Sequence, residues 1–504
     1  MYGPWCCSLA AAQSDPSVSA EASVHSEKKQ ADPNTPAEQP KETASKDPNE
    51  PTISSDSTDI EELINESKET VDPKVLLEEK MKKESVTEEE PEQEQEPVEI
   101  ELPTVIEIPE TGETIPDSNQ VEAAGTDSAY IQDLLKETRS PTIGWIEDKL
   151  IQRMLLPYTN FKQYLYDNHR ISLATEQLLI YQRATGGRDP YEQSVYNFTL
   201  FGLWELSTDE KEDRGVLGFL FEERDNITDW SVEDFSQEVG STFRTHTLNS
   251  NERSRTAFRE LWWRKRFVDD AVTLTIGKLK HSSFYNRNAY AGSSRTHFLS
   301  APFARNPNRL IPQDGLGVNV KIKPNDNYYL SVGLGDARSN VKTSGFDTIQ
   351  DGDFVEMAEI GFTPSNGNYR FTFWHTNETI IDDIVSEDGS GFAFSFDRKL
   401  NQKLGIFGRY GYTESQVDNM TNFVSTGFVL QNPWGIQDDL LGCGISWDEN
   451  SETDKDEFAI EVFHRMQTTK MLQLTPSLLI IFDPTRSDKT DPVAVFGIRA
   501  RVLF

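Results

Sequence analysis

The side chains best equipped for chemistry are arginines, glutamates and tryptophans set two residues apart in short runs. Glu260, Trp262, Arg264 and Arg266 share one phase, and Leu261, Trp263 and Phe267 occupy the other. The same phase selects Arg370 and Trp374 in Tyr369–Trp374, Arg409 in Gly405–Gly411, and Glu461 and Arg465 in Glu457–Arg465. It also selects Arg499 and Arg501 near the end. Guanidinium forks and carboxylates hydrogen-bond hydroxyl groups, and an indole face stacks on a flat apolar one. A spacing of two places such groups on one side of a β-strand, opposite apolar neighbours. The pattern fits a wet surface that contacts polar solutes. It equally fits a wall whose facing Arg and Glu satisfy each other.

Reaction chemistry has little support. The seven histidines are scattered without a close ligand pair, and no zinc spacing links Cys6, Cys7 and Cys443. No G-x-S-x-G exists to suggest a hydrolase, and four Gly-x-Gly pairs lack the third glycine of a nucleotide-binding loop. The expectation is a non-enzymatic protein without cofactor or metal.

The elements that must position these residues are strands. In YRFTFW (369–374), FAFSFD (392–397) and VTLTI (272–276) apolar and polar residues alternate with period two. Sixteen such segments are predicted, near 171–183, 195–206, 214–224, 257–268, 271–279, 315–323, 328–336 and 354–363, then 369–377, 391–398, 403–412, 421–430, 438–447, 456–466, 471–482 and 492–504. Many have the roughly nine to eleven residues that a tilted strand needs to cross a bilayer. Tight turns, such as 268–270 and 364–368, alternate with longer polar loops at 225–256, 280–314, 337–353 and 378–390. The expected fold is therefore all-β, an antiparallel transmembrane β-barrel of about sixteen strands. A charge facing lipid at mid-depth costs about 2–4 kcal/mol, so the charged phase is assigned to the lumen. The 280–314 loop is long enough to fold inward and narrow the pore, presenting Asn286, Arg287, Asn288, Arg295, His297, Arg305 and Asn306.

The N-terminal quarter is of another kind. The 504-residue chain has a formal charge of -35, and residues 1–125 carry 31 acids against 9 bases. No aromatic residue falls between Trp5 and Tyr130. Such a segment cannot bury enough apolar surface to offset the entropy of folding, so 13–125 reads as a disordered acidic Glu/Pro-rich region. Residues 1–12 end on Ala10-Ala11-Ala12, like the small-residue end of a secretory signal, and read either as a truncated signal remnant or as an ordinary disordered N-terminus. Residues 126–165 carry Ile131, Leu134, Leu135, Ile146, Leu150 and Leu155 at helical spacing around Pro141, which predicts short helices before a barrel spanning 166–504. The acidity speaks against a nucleic-acid partner.

Several ordered motifs resemble the carbohydrate-selective porins of the OprB type. They are Phe284–Ala291 (FYNRNAYA), Thr296–Leu299, Asn306-Pro307, Gly333–Ala337, Gly405–Gly411, Gln437–Gly442, Glu457–Arg465 and Leu474-Thr475-Pro476. The resemblance covers roughly 165–504. It implies an outer-membrane porin in contact with lipid, through which small carbohydrates diffuse passively into the periplasm. Under that reading Glu260, Trp262, Arg264, Arg266, Arg287, Asn288, Arg295, Arg370, Trp374, Arg409, Glu461 and Arg465 line the pore. The alternating strand that ends on Phe504 resembles the signal read by the bacterial barrel-assembly machinery. Prominent lumen arginines leave an anion-selective or general diffusion pore open. The acidic 13–125 region, outside the family pattern, leaves open a structural envelope barrel tethered to a periplasmic or cell-wall partner.

Overall fold

The computed structural model describes residues 149–504, with short gaps in several loops, and part of 131–146. The expected signal remnant and the acidic 13–125 region lie outside the described residues. Helix α1 (Lys149–His169) precedes the first strand. The strands are β1 (Ile171–Ala184), β2 (Glu192–Glu205), β3 (Val216–Asn226), β4 (Ser254–Phe267), β5 (Val272–Leu279) and β6 (Gly315–Asn325). Then come β7 (Tyr328–Asp336), β8 (Phe354–Phe362), β9 (Gly367–Thr376), the short β10 (Thr379–Ile381) and β11 (Ile384–Ser386), and β12 (Gly389–Lys399). The chain finishes through β13 (Leu404–Thr413), β14 (Met420–Gln431), β15 (Leu440–Asn450), β16 (Lys455–Gln467), β17 (Leu472–Phe482) and β18 (Val493–Leu503).

Sixteen strands form one closed antiparallel barrel in which neighbours in sequence are neighbours in space. β9 pairs with β12, skipping the separate β10–β11 ladder. β1 closes the sheet on β18, from Glu176 opposite Leu503 to Ala184 opposite Val495. Closure leaves no unpaired edge, which is the condition a sheet must meet in lipid. Each strand expected from periodicity is present, with ends shifted by up to about three residues, as is usual for such boundaries. The β10–β11 ladder lies inside what read as an irregular polar loop, and α1 continues to His169, past residue 165, while β1 begins at Ile171 as the alternation places it.

The two faces of the wall separate as the alternation demands. On β9, Phe371 and Phe373 are each 47% exposed on the outside, whereas Arg370, Thr372 and Trp374 are buried within. On β18, Phe496 and Ile498 face out while Arg499 and Arg501 are fully covered. The outer rings also stack along neighbouring strands, with Tyr328, Phe362 and Tyr369 at centroid distances of 4.9 and 6.0 Å. Long connections at one end, 227–253 and 280–314, contrast with tight turns such as 268–271 and 326–327 at the other. The contrast fades toward the C-terminus. There the 451–454 connection at the loop end is shorter than 432–439 at the turn end.

The core lies between the wall and segments that enter the barrel. Phe298 and Phe303 of the 280–314 loop pack on Phe407 and Phe463, with Phe298 ring centroids 5.5 and 4.8 Å from theirs. At the turn end, helical residues Ile131 and Leu135 are buried with Ala174, Phe201, Leu220, Trp262 and Leu503. Close by, Trp145 N donates to Gln467 O at 3.0 Å, and Tyr158 meets Phe504 edge to face at 5.4 Å.

Candidate functional site

The 280–314 loop folds into the barrel, and wall side chains hold its backbone in place. Asp397 accepts from Ala289 N at 3.3 Å, and Arg370 bridges Asp397 and the Arg287 carbonyl at 2.9 and 3.0 Å. Arg409 donates to the carbonyls of Ala291 and Phe303. Arg499 donates to those of Ser294 and His297 at 2.6 and 2.9 Å. Glu461 accepts from Leu299 N, Ser300 N and the Ser300 hydroxyl, the first two at 2.6 and 3.0 Å. Trp374 Nε1 donates to Asn308 O at 3.0 Å. A buried irregular segment has backbone groups that no ladder satisfies, so charged wall residues supply their partners. Tight contacts complete the fit. The Tyr290 ring lies on Gly405, where a Cβ would sit 2.1 Å from its Cζ.

Beside the loop lies a network of unequal charges. Glu222 on β3 pairs with Arg224, Arg255, Arg259 and Arg295 at 2.8, 2.9, 3.1 and 2.9 Å. Arg295 also reaches Glu176, which is shared with Arg501 at 2.6 Å. Arg501 contacts Glu137 in turn, and Arg259 contacts Asp314. In all, five arginines meet four carboxylates here, so the network is close to balanced and leaves one formal positive charge. A cavity of about 400 Å³ opens between the network and the loop. Its wall holds Arg224, Arg259, Lys280, Arg287, Arg295, Arg305 and Arg409 against a single carboxylate, Glu137. Asn286, Asn288, Ser282, Ser293 and Thr247 add amide and hydroxyl groups. Burial and the adjacent Arg259 push the Lys280 ammonium down to about 8. Burial together with Arg465 and Arg499 holds His297 down to about 3, so that imidazole is neutral.

The residues expected at the pore wall divide into three groups, with Arg266 apart from all of them. Arg287, Asn288, Arg295 and Arg409 line the cavity. Arg370, Trp374, Glu461 and Arg465 anchor the loop or its surroundings, Arg465 through the Thr296 and Asp438 carbonyls at 3.4 Å each. Asn288 does both, since its amide donates to Phe396 O at 2.9 Å. Glu260, Trp262 and Arg264 sit together farther toward the turn end. There the indole donates to Glu260 at 3.0 Å and Arg264 lies 5.0 Å over the Trp262 ring. Arg266 has the expected phase but lies at the strand end, 39% exposed and 3.7 Å from Asp270.

Periodicity missed Glu222, Arg224 and Arg259 for identifiable reasons. Glu222–Asp225 is a run of four charges, so alternation alone gives no phase there. Arg259 lies at a bulge. Leu220 pairs with Glu260 and Phe221 with Phe258, which lets Arg259 and Glu260 both face inward. Glu137 belongs to a segment whose entry into the barrel has no local sequence signal.

Comparison with known proteins adds the lineage. Porin AaxA of Chlamydia abortus is 22% identical over 320 residues, covering 60% of this chain and 64% of that protein. Porin AaxA of Chlamydia felis is also 22% identical, covering 60% and 65%. The chain thus spans a little under two thirds of the length of these curated relatives. The high-pH structure of Pseudomonas putida OprB shares the fold, with a TM-score of 0.59 at 14% identity, over 69% of this chain and 97% of that one. Residues 233–504 match the family described as carbohydrate-selective porin, OprB family. That match covers more than half of the sequence and supports a bacterial outer-membrane location: the chain belongs to the OprB porin family.

Proposed function

We propose that the barrel is a passive diffusion pore, admitting small hydrophilic solutes and sugars foremost. The carrying observation is the inserted 280–314 loop, fixed by Arg370, Arg409, Glu461 and Arg499 beside a polar cavity inside a closed barrel. A fixed loop narrows the passage, and its amide, hydroxyl and guanidinium groups replace the hydration of a hydroxylated solute. The family description supports carbohydrate as the solute class, and the name porin, shared by the curated relatives, supports transport over catalysis. The outward aromatic and aliphatic belt suits lipid, and the alternating strand ending on Phe504 suits recognition by the barrel-assembly machinery.

The test is reconstitution of the full chain in liposomes and planar bilayers. Ion conductance and swelling in neutral monosaccharides are expected. Absence of both would leave a structural barrel, with residues 13–125 as its tether to a periplasmic or cell-wall partner. Permeation ordered by size alone would reduce the protein to a general diffusion pore.

A further inference from the structure

The whole chain is strongly acidic, yet the wall of its interior cavity is cationic. That inversion is local and built. The network behind the wall sets five arginines, Arg224, Arg255, Arg259, Arg295 and Arg501, against the four carboxylates Glu222, Glu176, Glu137 and Asp314, and Lys280 and Arg409 add cations to the cavity wall. Arg287 and Arg305 enter the same cavity from the loop, next to the hydroxyls and amides of Ser282, Ser293, Asn286 and Asn288.

We propose that the cavity is a selectivity site for hydroxylated carboxylates, the sugar acids, favoured over neutral sugars of the same size and over cations. This rests on the pore reading above and names its solute class. A neutral sugar uses the hydroxyl and amide groups alone. A sugar acid uses them and also places its carboxylate where the guanidinium groups converge, in a bidentate geometry that arginine supplies and lysine does not. Narrow low-dielectric walls strengthen that attraction and raise the local concentration of anions at the constriction. Cations meet the opposite field.

The experiment uses the full chain in planar bilayers under a potassium chloride gradient, followed by addition of D-glucuronate or D-glucose. The expected reversal potential has the sign of chloride preference. Glucuronate is expected to depress the current at about tenfold lower concentration than glucose, the ratio given by one charge-assisted contact of ~1.4 kcal/mol. In Arg287→Gln/Arg305→Gln the reversal potential shifts toward zero and the glucuronate advantage shrinks. In Arg287→Lys/Arg305→Lys the chloride preference stays. Both pairs lie on the loop rather than in the wall, and single-channel conductance reports that each variant has inserted. Absence of any channel in the parent protein overturns the pore itself. A conducting parent with potassium preference or no preference overturns this inference alone, as does equal block by glucose and glucuronate. Loss of chloride preference in the lysine pair as well as the glutamine pair would also overturn it, because charge would then not be the cause.

Discussion

If wall residues hold the inserted loop, then removing two of its anchors must widen the passage without unfolding the barrel. The perturbation is Glu461→Ala with Arg409→Ala. It strips partners from Leu299 N and Ser300 N, and from the carbonyls of Ala291 and Phe303, all in residues no more than 1% exposed. Leaving a buried polar group unsatisfied costs about 1–3 kcal/mol, so four such groups cost roughly 4–12 kcal/mol. Lumen water recovers part of this, which favours the lower end. Even ~4 kcal/mol changes the ratio of docked to displaced loop by about a thousandfold. The segment does not leave altogether. Arg295 still pairs with Glu222, Arg499 still holds Ser294 and His297, and Phe298 keeps its packing on Phe463. The assay is liposome swelling in a series from mono- to trisaccharides, with single-channel conductance alongside. Neutral sugars keep the loss of the Arg409 charge out of the readout. The expected result is faster entry of the larger sugars and higher conductance. An unchanged size series in a variant that still inserts as a folded barrel would refute the anchoring argument.

Phe371→Arg, at an outward mid-strand position 47% exposed, should destabilise the barrel by about 2–4 kcal/mol in lipid-vesicle urea titrations. Gly405→Val should expel the Tyr290 ring and reproduce, more weakly, the faster entry of large sugars. Leu135→Asp places a charge among Ala174, Phe201, Leu220 and Leu503, so the helical segment should leave the turn-end mouth and conductance should rise. His246, in the 227–253 connection, is held down to about 3 by burial and then by Arg224 and Arg244. Its Nδ1 accepts from Leu248 N at 3.2 Å and its Nε2 meets Gln193 at 2.8 Å, so the folded state holds the neutral ring. The unfolded chain takes up a proton near 6.5 and the folded one only near 3, so stability falls as pH drops through that window. Proteolysis of this connection should therefore increase from pH 7 to pH 5, and His246→Gln should flatten the dependence.

The wall of the barrel was legible in the sequence because its code is local. Each strand states its own faces through alternation, and a hydrophobic set such as Phe371 and Phe373 leaves Arg370 and Trp374 one side to occupy. All sixteen barrel strands could be read this way. The β10–β11 ladder could not, since Thr379–Ile381 and Ile384–Ser386 are too short to show a period. The sequence also indicated that 280–314 would be long enough to turn inward, and that Arg287, Asn288 and Arg295 would travel with it.

Tertiary structure decided which charges meet. Besides Arg224 two residues along its own strand, Glu222 gathers Arg255 and Arg259 from β4 and Arg295 from the loop, 73 residues away, relations no spacing encodes. The bulge that turns Arg259 inward depends on pairing between β3 and β4, not on the identity of Arg259. Whether a lumen arginine serves a loop carbonyl depends on where the loop backbone passes, as Arg370 illustrates by reaching the Arg287 carbonyl. Strand phase is written in neighbours along the chain and survives without any partner. Charge pairing between distant segments exists only in the folded barrel: Glu176 meets Arg501 because β1 closes on β18, and Glu222 meets Arg295 because the loop enters the interior.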